Sequence, residues 1–258
     1  MNGVGLNLYS IRNLIATEED FLATAHKLRE MGYEYMQFSG AEYDAARIKR
    51  VSEASGLPVY LTHMPIERIL DDTDALMAEH ESFGCRNIGL GAMPRAVLVD
   101  EEKFKETVAA LDAVAAKMAE KGFAFFYHHH HFEFMKRNGE TLFDYMVKNA
   151  PHINFTVDTY WLQYAGVDIL ATLDKLKGRI GCTHLKDYAV EYVEKDEKKE
   201  FKPVFAPVGN GNIDFGPIVK KMLENGAKYI FVEQDNAATL PDTLGEVEQS
   251  ITYIKNNL

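Results

Sequence analysis

Several apolar stretches of this chain end in residues with metal-ligand side chains. Asp158 follows Val157, His184 lies near the end of the stretch 181–185, and Glu233 follows Val232. An aspartate after a strand often caps a helix, and a single histidine is usually structural. A glutamate after an apolar strand is harder to explain in that way, because burying an unpaired carboxylate is costly. The recurrence of such residues predicts that they converge on one point.

Two carboxylates and an imidazole form a donor set that suits a divalent metal ion such as Mn, Co, Mg or Zn. The set contains no cysteine, which argues against a structural zinc site. The two cysteines, Cys85 and Cys182, lie far apart in strand-like apolar stretches. We interpret them as buried free thiols of a protein in a reducing compartment.

Two further groups belong to the same candidate site. The stretch YHHHHFEF at residues 127–134 follows an apolar run. Because side chains alternate along extended chain, His128 and His130 should face one side and His129 and His131 the other. Lys186 follows His184 by two residues and should point to the same face, where it could bind a substrate oxygen or stabilise an enolate.

The elements that must position these residues alternate regularly along the chain. Short apolar runs, typical of buried parallel strands, lie at residues 4–9, 33–38, 58–62, 87–90, 124–128, 154–157, 181–185 and 229–233. Amphipathic segments, most of which end at a glycine as helices commonly do, lie at residues 17–31, 41–55, 66–83, 101–120, 141–148, 168–175, 217–224 and 240–255.

Eight strand–helix units in 258 residues predict an α/β fold, a single (β/α)8 TIM barrel spanning residues 1–258. An open doubly wound sheet is the alternative, but no GxGxxG motif follows the first strand. Residues 187–214 break the alternation of strands and helices. They form a long, charged loop after the seventh strand, which we interpret as a lid or an oligomer contact. The strand ends that carry the ligand-type residues are the ends at which barrel enzymes place their active sites.

Composition limits the kinds of partner. The formal net charge is −11 and no dense Lys/Arg cluster is present, so we expect no nucleic-acid binding. No apolar run approaches the length of a membrane span, so we expect no membrane association. The N-terminal sequence MNGVGLNLYSIR lacks the pattern of a secretory signal, so the cytoplasm is the expected location.

The chain resembles the sugar phosphate isomerase/epimerase family of xylose isomerase-like barrels, also called the AP endonuclease family 2 group. The resemblance runs almost end to end. The segments that carry it are GLNLYSIRN at 5–13, YHHHHFEF at 127–134, DTYW at 158–161, HLKD at 184–187, VGNGNIDF at 208–215 and VEQD at 232–235.

The resemblance implies a metal held by Glu, Asp, His and Glu on strands five to eight. The last three match Asp158, His184 and Glu233. Where many members have Leu-Glu-Asn on strand five, this chain has Tyr127-His128-His129. The fourth expected ligand is therefore His128, with His130 or Glu133 as the alternatives.

The resemblance also implies a metal-dependent sugar isomerase or epimerase that removes a proton next to a carbonyl. The expected catalytic residues are Glu233, Lys186 and Glu133. In the 3-epimerase branch the glutamates of strands five and eight form a proton-shuttling pair, and that pair is lost here unless Glu133 restores it. An inosose or keto-sugar dehydratase or lyase is an alternative, and a catalytically inactive sugar-binding barrel is another.

The expected partner is a small-molecule sugar or cyclitol, and because barrels of this type often pair, a homo-oligomer is compatible with the resemblance. DNA-repair relatives have a further metal-binding histidine at the position of Trp161, which instead offers a flat face for a sugar ring. The residues expected to contact the substrate are Tyr9, Arg12, His63, His130 and Trp161.

Overall fold

The computed structural model, which describes residues 3–195 and 198–258, contains a closed barrel of eight parallel strands, as predicted. Each strand pairs with its neighbour in the chain, and the first also pairs with the last. The strands are β1 Gly5–Asn7, β2 Tyr35–Phe38, β3 Val59–His63, β4 Asn87–Leu90, β5 Ala124–His128, β6 Asn154–Asp158, β7 Cys182–Leu185 and β8 Tyr229–Val232. The fold is a single (β/α)8 TIM barrel.

Helices surround the barrel and are capped as the sequence suggests. The Thr17 side chain accepts a hydrogen bond from the Asp20 amide at the first helix, which ends on Gly32 in the left-handed region (φ 100°). The helices are α1 Glu18–Met31, α2 Ala45–Ser55, α3 Ile66–Asp71, α4 Thr73–Ser82, α5 Arg95–Val99, α6 Glu101–Glu120, α7 Leu142–Asn149, α8 Thr159–Tyr164, α9 Ile169–Lys175, α10 Phe215–Glu224 and α11 Thr243–Asn257. Short 3-10 helices lie at Leu8–Leu14, Phe132–Phe134 and Ala237–Thr239.

The helical assignment differs from the sequence prediction in two respects. The segment predicted as one helix at residues 66–83 is divided at Asp72 into α3 and α4. Helices α5 and α8 were not predicted, because five or six residues are too few to show a helical period. Among the described helices, none combines the length and the apolar character needed to cross a membrane.

The barrel interior has an apolar layer below a polar one. Side chains two residues apart on a strand point the same way. One strand can therefore supply one interior side chain to the apolar layer and another to the polar layer. In three strands an apolar side chain of the lower layer is followed two residues later by a polar side chain of the upper layer. The pairs are Phe126 and His128, Cys182 and His184, and Phe231 and Glu233, and all six residues are buried. The lower layer comprises Tyr35, Leu61, Phe126, Cys182 and Phe231. It closes the barrel beneath the polar layer, which therefore opens only toward the C-terminal ends of the strands.

The segment after β7 contains strands that the sequence analysis did not predict. Asp187–Lys195 and Lys198–Ala206 pair antiparallel and form what we call the long hairpin. Its charged residues conceal the strand pattern, because a ribbon outside the barrel has no face that must be apolar. Residues 196 and 197 of the predicted loop, and residues 1 and 2 of the N-terminal segment, lie outside the described residues.

Asp187 organises the loop that returns the chain from the long hairpin to α10. Its carboxylate accepts hydrogen bonds from the backbone amides of Tyr188, Gly209, Gly211 and Ile213 at 2.8–3.2 Å. A Cβ on Gly211 would lie 2.3 Å from the Tyr188 carbonyl oxygen, so this position excludes any side chain. The glycines of VGNGNIDF thus shape a turn around a buried carboxylate.

A buried histidine away from the polar layer predicts acid sensitivity. In α4, His80 lies between the Thr62 hydroxyl and the Leu76 carbonyl, each 2.7 Å away, and burial lowers its pKa to about 4. The unfolded chain binds a proton near pH 6.5, so stability is present above that pH and is lost as pH falls toward 4. The loss should reach roughly 3 kcal/mol.

Urea unfolding of the wild type and of His80→Gln at pH 7.5 and pH 4.5 checks this expectation. The variant has no imidazole to titrate and should lose less free energy of unfolding between the two pH values. An equal loss in both proteins would assign the acid sensitivity to other groups.

Candidate metal centre and cavity

Four buried side chains converge at the C-terminal end of the barrel: His128, Asp158, His184 and Glu233. We call them the ligand cluster. One candidate ligand atom from each lies within 4.8 Å of all the others. His184 Nδ1 is 2.7 Å from Glu233 Oε2, and His128 Nε2 is 3.3 Å from Asp158 Oδ2. The structure therefore brings together the three expected ligands and, at the strand-five position, His128.

Hydrogen bonds on the far side of each imidazole fix its orientation. His128 Nδ1 donates to the Gly91 carbonyl oxygen at 3.0 Å, and His184 Nε2 donates to Gln37 Oε1 at 2.6 Å. Carbonyl oxygens only accept, so those ring nitrogens carry the protons. The remaining nitrogens, His128 Nε2 and His184 Nδ1, face the cluster, where metal-binding histidines present their lone pairs once they are deprotonated.

The two carboxylates are held in the same manner. Glu233 Oε1 accepts from Asn7 Nδ2 at 2.8 Å, and Asn7 is itself oriented by the Ser39 hydroxyl. Asp158 Oδ1 accepts from the Trp161 amide at 3.1 Å and so caps α8. Each carboxylate keeps its second oxygen for the cluster. Asp158 is both a helix cap and a cluster residue, although the sequence patterns suggested these as alternatives.

The cluster has the properties of a cation site. Glu233 Oε2 is buried with two cationic neighbours, His184 Nδ1 at 2.7 Å and Lys186 Nζ at 3.2 Å, so the carboxylates of the cluster already attract positive charge. The spacing of the four atoms suits metal–ligand distances of about 2.0–2.4 Å, so a divalent metal could be held by all four residues.

Protons compete for the same site. Burial lowers the pKa of His184, but the charges of Glu233 and Asp158 outweigh it and raise that pKa to about 9. The carboxylates stay ionised, because Lys186 and the histidines lower the pKa of both despite burial. A metal would have to displace the proton of His184, so metal binding should release a proton.

Lys186 lies against the cluster together with Asp235. Its Nζ is 3.3 Å from Asp158 Oδ2, 3.2 Å from Glu233 Oε2 and 3.0 Å from Asp235 Oδ1. Burial lowers the lysine pKa, but the three carboxylates raise it above its usual value. The buried lysine is therefore a fixed cation. Asp235 was not among the predicted site residues, although it follows Glu233 by two positions and so shares its direction.

A cavity of about 350 Å³ opens above the cluster. It is lined by Tyr9, Ser39, Gly40, His63, Gly91, Ala92, His128, His130, Lys186, Glu233 and Asp235. Three of the expected substrate-binding residues, Tyr9, His63 and His130, thus lie at the cavity. Burial is the main cause that lowers the pKa of His63 and that of His130, the latter to about 2, so both rings are neutral.

The other two expected substrate-binding residues lie elsewhere. Arg12 donates to the carbonyl oxygens of Tyr9 and Asp235 at 2.7 and 3.1 Å, and its guanidinium lies 4.2 Å from the centroid of the Tyr9 ring. It is placed to orient cavity residues. Trp161 lines a second cavity of about 840 Å³ next to the first.

Glu133, the expected second catalytic carboxylate, is not brought to the cluster. It is buried, and its two oxygens accept from the Tyr127 hydroxyl at 2.6 Å and the His130 amide at 2.8 Å. Burial raises its pKa to about 7. These contacts hold the turn that follows β5 and leave Glu133 outside the residues that line the cavity.

The first three histidines of the run alternate as predicted, but His131, which was expected to face the same side as His129, lines the second cavity together with His130 because the strand has ended by then. His128 and His130 face the cavity, whereas His129 packs against Phe143 behind the barrel with ring centroids 5.4 Å apart. His129 Nε2 accepts a hydrogen bond from the Asp158 amide at 3.1 Å. This histidine therefore helps to position the strand end that carries Asp158.

Asn7 and Gln37, which orient Glu233 and His184, were missed by the sequence analysis. Each is a single amide within a short apolar strand. An isolated buried amide was the available signal, because it requires a hydrogen-bonding partner inside the barrel.

Gln37→Leu should weaken metal binding by about 10- to 100-fold, because orienting partners of ligand histidines have effects of that size. Leucine retains the volume but frees the His184 ring to rotate or change tautomer. Calorimetric titration with Mn²⁺ measures the change, and Gln249→Leu on the exposed face of α11 is the control. Unchanged affinity in Gln37→Leu would mean that His184 does not bind the metal through the orientation described.

A closed barrel with a buried cluster of imidazoles and carboxylates at the C-terminal ends of its strands has a group of side chains that could hold a metal ion at the position where barrel enzymes have their active sites. The chain belongs to the xylose isomerase-like TIM barrel family, whose model matches residues 25–257. Members of this family include enzymes that act on sugar and cyclitol substrates.

Individual relatives agree with this assignment. The chain is 30% identical over 168 residues to an inosose dehydratase from Clostridium perfringens, a match that covers 61% of this chain and 56% of the relative. The match thus spans about half the length of that protein. A sugar phosphate isomerase/epimerase from Parabacteroides distasonis superposes with a TM-score of 0.80 at 18% identity, covering 100% of this chain and 95% of that one.

A xylose isomerase-like TIM barrel protein from Mycobacterium smegmatis in complex with magnesium also shares the fold. It superposes with a TM-score of 0.68 at 14% identity, and the match covers 98% of this chain and 95% of that one.

Proposed function

We propose that the protein is a metal-dependent enzyme that removes a proton from the carbon next to a carbonyl of a sugar or keto-cyclitol. Isomerisation or epimerisation is the primary reaction proposed. The observation that carries the proposal is the buried ligand cluster of two carboxylates and two imidazoles, beneath a cavity that also contains a buried cation, Lys186.

The metal is proposed to be divalent, bound by His128, Asp158, His184 and Glu233. When bound, it would polarise the carbonyl and a neighbouring oxygen of the substrate and stabilise the negative charge that develops there. The magnesium complex of the relative from Mycobacterium smegmatis supports this part of the proposal.

Glu233 is the proposed base. It lines the cavity, and Asn7 fixes one of its oxygens while the other faces the cluster. Lys186 and His184 keep the carboxylate ionised in spite of its burial, so it can accept a proton.

Lys186 is proposed to face the oxygen that becomes negative and to stabilise that charge as a fixed cation. Its ammonium group is held in place by carboxylates on three sides and needs no reorganisation during the reaction. Asp235, whose Oδ1 lies 3.0 Å from Lys186 Nζ, is proposed as a residue that positions Lys186.

The ligand cluster contains one glutamate, Glu233, which argues against a 3-epimerase that uses two glutamates. A 3-epimerase of the two-carboxylate kind needs acid–base groups on both faces of the carbon, and Glu133 is engaged outside the cavity.

Tyr9, His63 and His130 are the remaining cavity residues that we propose to contact the substrate.

Dehydration of an inosose or keto-sugar is the second candidate reaction. It begins with the same proton removal but ends with loss of a hydroxyl group, which leaves as water with the proton that Glu233 has taken from the carbon. The similarity to inosose dehydratases supports this candidate.

Proton exchange in heavy water tests the proposal. Mn²⁺-loaded protein is incubated with ketoses and keto-cyclitols, and NMR follows deuterium entry at the carbon next to the carbonyl. Exchange without loss of water supports isomerisation or epimerisation, and exchange with loss of water supports dehydration. The absence of exchange across the panel would contradict the proposal and favour a sugar-binding barrel without activity.

A further inference from the structure

The second cavity is an apolar groove that the proposed chemistry does not use. Its volume is about 840 Å³, against about 350 Å³ for the cavity above the ligand cluster. Its apolar wall includes Met93, Leu98, Phe132, Phe134, Met135 and Trp161. We call it the apolar groove.

The apolar groove is continuous with the cavity above the cluster. Ala92 and His130 line both. Lys186, which touches the cluster carboxylates, has its Nζ 5.2 Å from the centroid of the Trp161 ring. A ligand anchored at the cluster can therefore extend past His130 into the groove without crossing another element.

The wall of the groove suits a flat apolar group better than a second sugar. The His130 ring stacks on Phe132 with an interplanar angle of 10° and lies 5.1 Å from the Trp161 centroid. Arg95, His130 and His131 are the polar residues among those that line the groove and the other nine are apolar, so most sugar hydroxyls placed there would lose hydrogen bonds to water without replacement. An aromatic ring would gain both burial and stacking.

Apolar side chains at the groove are exposed to solvent. Val99 is 73% exposed and Met135 is 42% exposed, and both line the groove. Exposed apolar patches commonly mark binding sites. The groove is thus ready to receive an apolar group without unfolding or displacing a covering segment.

We propose that the substrate carries an apolar, planar substituent on its ring and that the apolar groove binds this substituent while the ring lies at the ligand cluster. The inference rests on the proposed function and adds the substrate class, an aryl-substituted sugar or cyclitol.

The chain has a single tryptophan, so the fluorescence of Trp161 reports directly on the groove. Mn²⁺-loaded protein is titrated with phenyl β-D-glucopyranoside and with methyl β-D-glucopyranoside, which share one ring and differ only in the substituent. We expect the phenyl glycoside to change the emission and to bind at least about tenfold more tightly, as burial of an aromatic ring predicts.

Val99→Glu should remove most of the preference for phenyl, because it places a charge at the exposed edge of the groove. Val190→Glu on the long hairpin is the matched control, since Val190 is 53% exposed and lies outside the groove. Equal affinity for the two glycosides, no response to either, or a preference that survives Val99→Glu would overturn the inference.

Two results would show that the groove does not bind a substrate substituent. Deuterium exchange on simple keto-sugars without a phenyl preference would leave the proposed function standing and overturn the inference alone. Trp161 emission that depends on protein concentration, and loses this dependence in Phe201→Glu, would assign the groove to the long hairpin of a second copy and also overturn the inference.

Discussion

Replacing Glu233 with glutamine should lower the rate of deuterium exchange next to the substrate carbonyl by at least about a thousandfold. General-base catalysis alone contributes about 10²- to 10⁴-fold. Glutamine keeps the size of the side chain and the contact with Asn7, but it removes the negative charge and the oxygen that lies 2.7 Å from His184 Nδ1. NMR of the exchange reaction at saturating Mn²⁺ measures the loss.

Glu248→Gln, on the exposed face of α11, is the matched control and should exchange at the wild-type rate. If Glu233→Gln retains the metal and exchanges within tenfold of the wild type, then Glu233 is not the base. Loss of exchange together with loss of metal would still assign Glu233 to the cluster but would leave the base to another cavity residue.

Replacing Lys186 with methionine should destabilise the metal-free protein by about 3–5 kcal/mol, the usual cost of leaving buried charges without their partner. Asp158 and Glu233 each lie within 3.3 Å of the lysine ammonium. A bound divalent metal supplies positive charge at the same carboxylates, so it should recover much of the lost stability. Thermal unfolding with EDTA and with excess Mn²⁺ measures both effects.

The rise in melting temperature on adding Mn²⁺ shows why Lys186→Met is less stable. A larger rise than in the wild type indicates carboxylates left without a cation, and an equal rise indicates general disruption of the core. Mn²⁺ should raise the melting temperature of Lys186→Met more than that of the wild type or of Lys228→Met, a change at an exposed lysine. Equal stabilisation of all three proteins would mean that Lys186 and the metal do not share the same carboxylates.

The barrel could be predicted from the sequence because its strands and helices repeat one pattern. Each strand is a short, mainly apolar run, and most of the predicted helices end at a glycine, so boundaries recur at regular intervals. The long hairpin could not be predicted in this way. Its residues, such as Glu191 opposite Lys202, pair with each other outside the barrel and show no burial pattern.

The ligand cluster was predicted from the ends of successive strands, since a barrel brings these ends together. His128 Nε2 lies 3.3 Å from Asp158 Oδ2, and its role as the ligand in place of a glutamate stays a prediction. Glu133 could not be placed from the sequence, because a tight turn after β5 directs its carboxylate to the Tyr127 hydroxyl.

The groups that orient the cluster were not evident from the sequence. Gln37 and Asn7 come from β2 and β1, which lie far from the ligands in sequence but beside them in space. An isolated amide in an apolar strand indicates that it has a buried partner, but it does not indicate which side chain that partner is.

Metal titration of the wild type and of two cluster variants tests the central claim most directly. Protein stripped with EDTA is titrated with Mn²⁺ by calorimetry, and bound metal is counted after dialysis. We expect one metal ion per chain in the wild type, and at least about a hundredfold weaker binding in His128→Ala and in His184→Ala. Wild-type affinity and stoichiometry in both variants would contradict the assignment of the ligand cluster as a metal site.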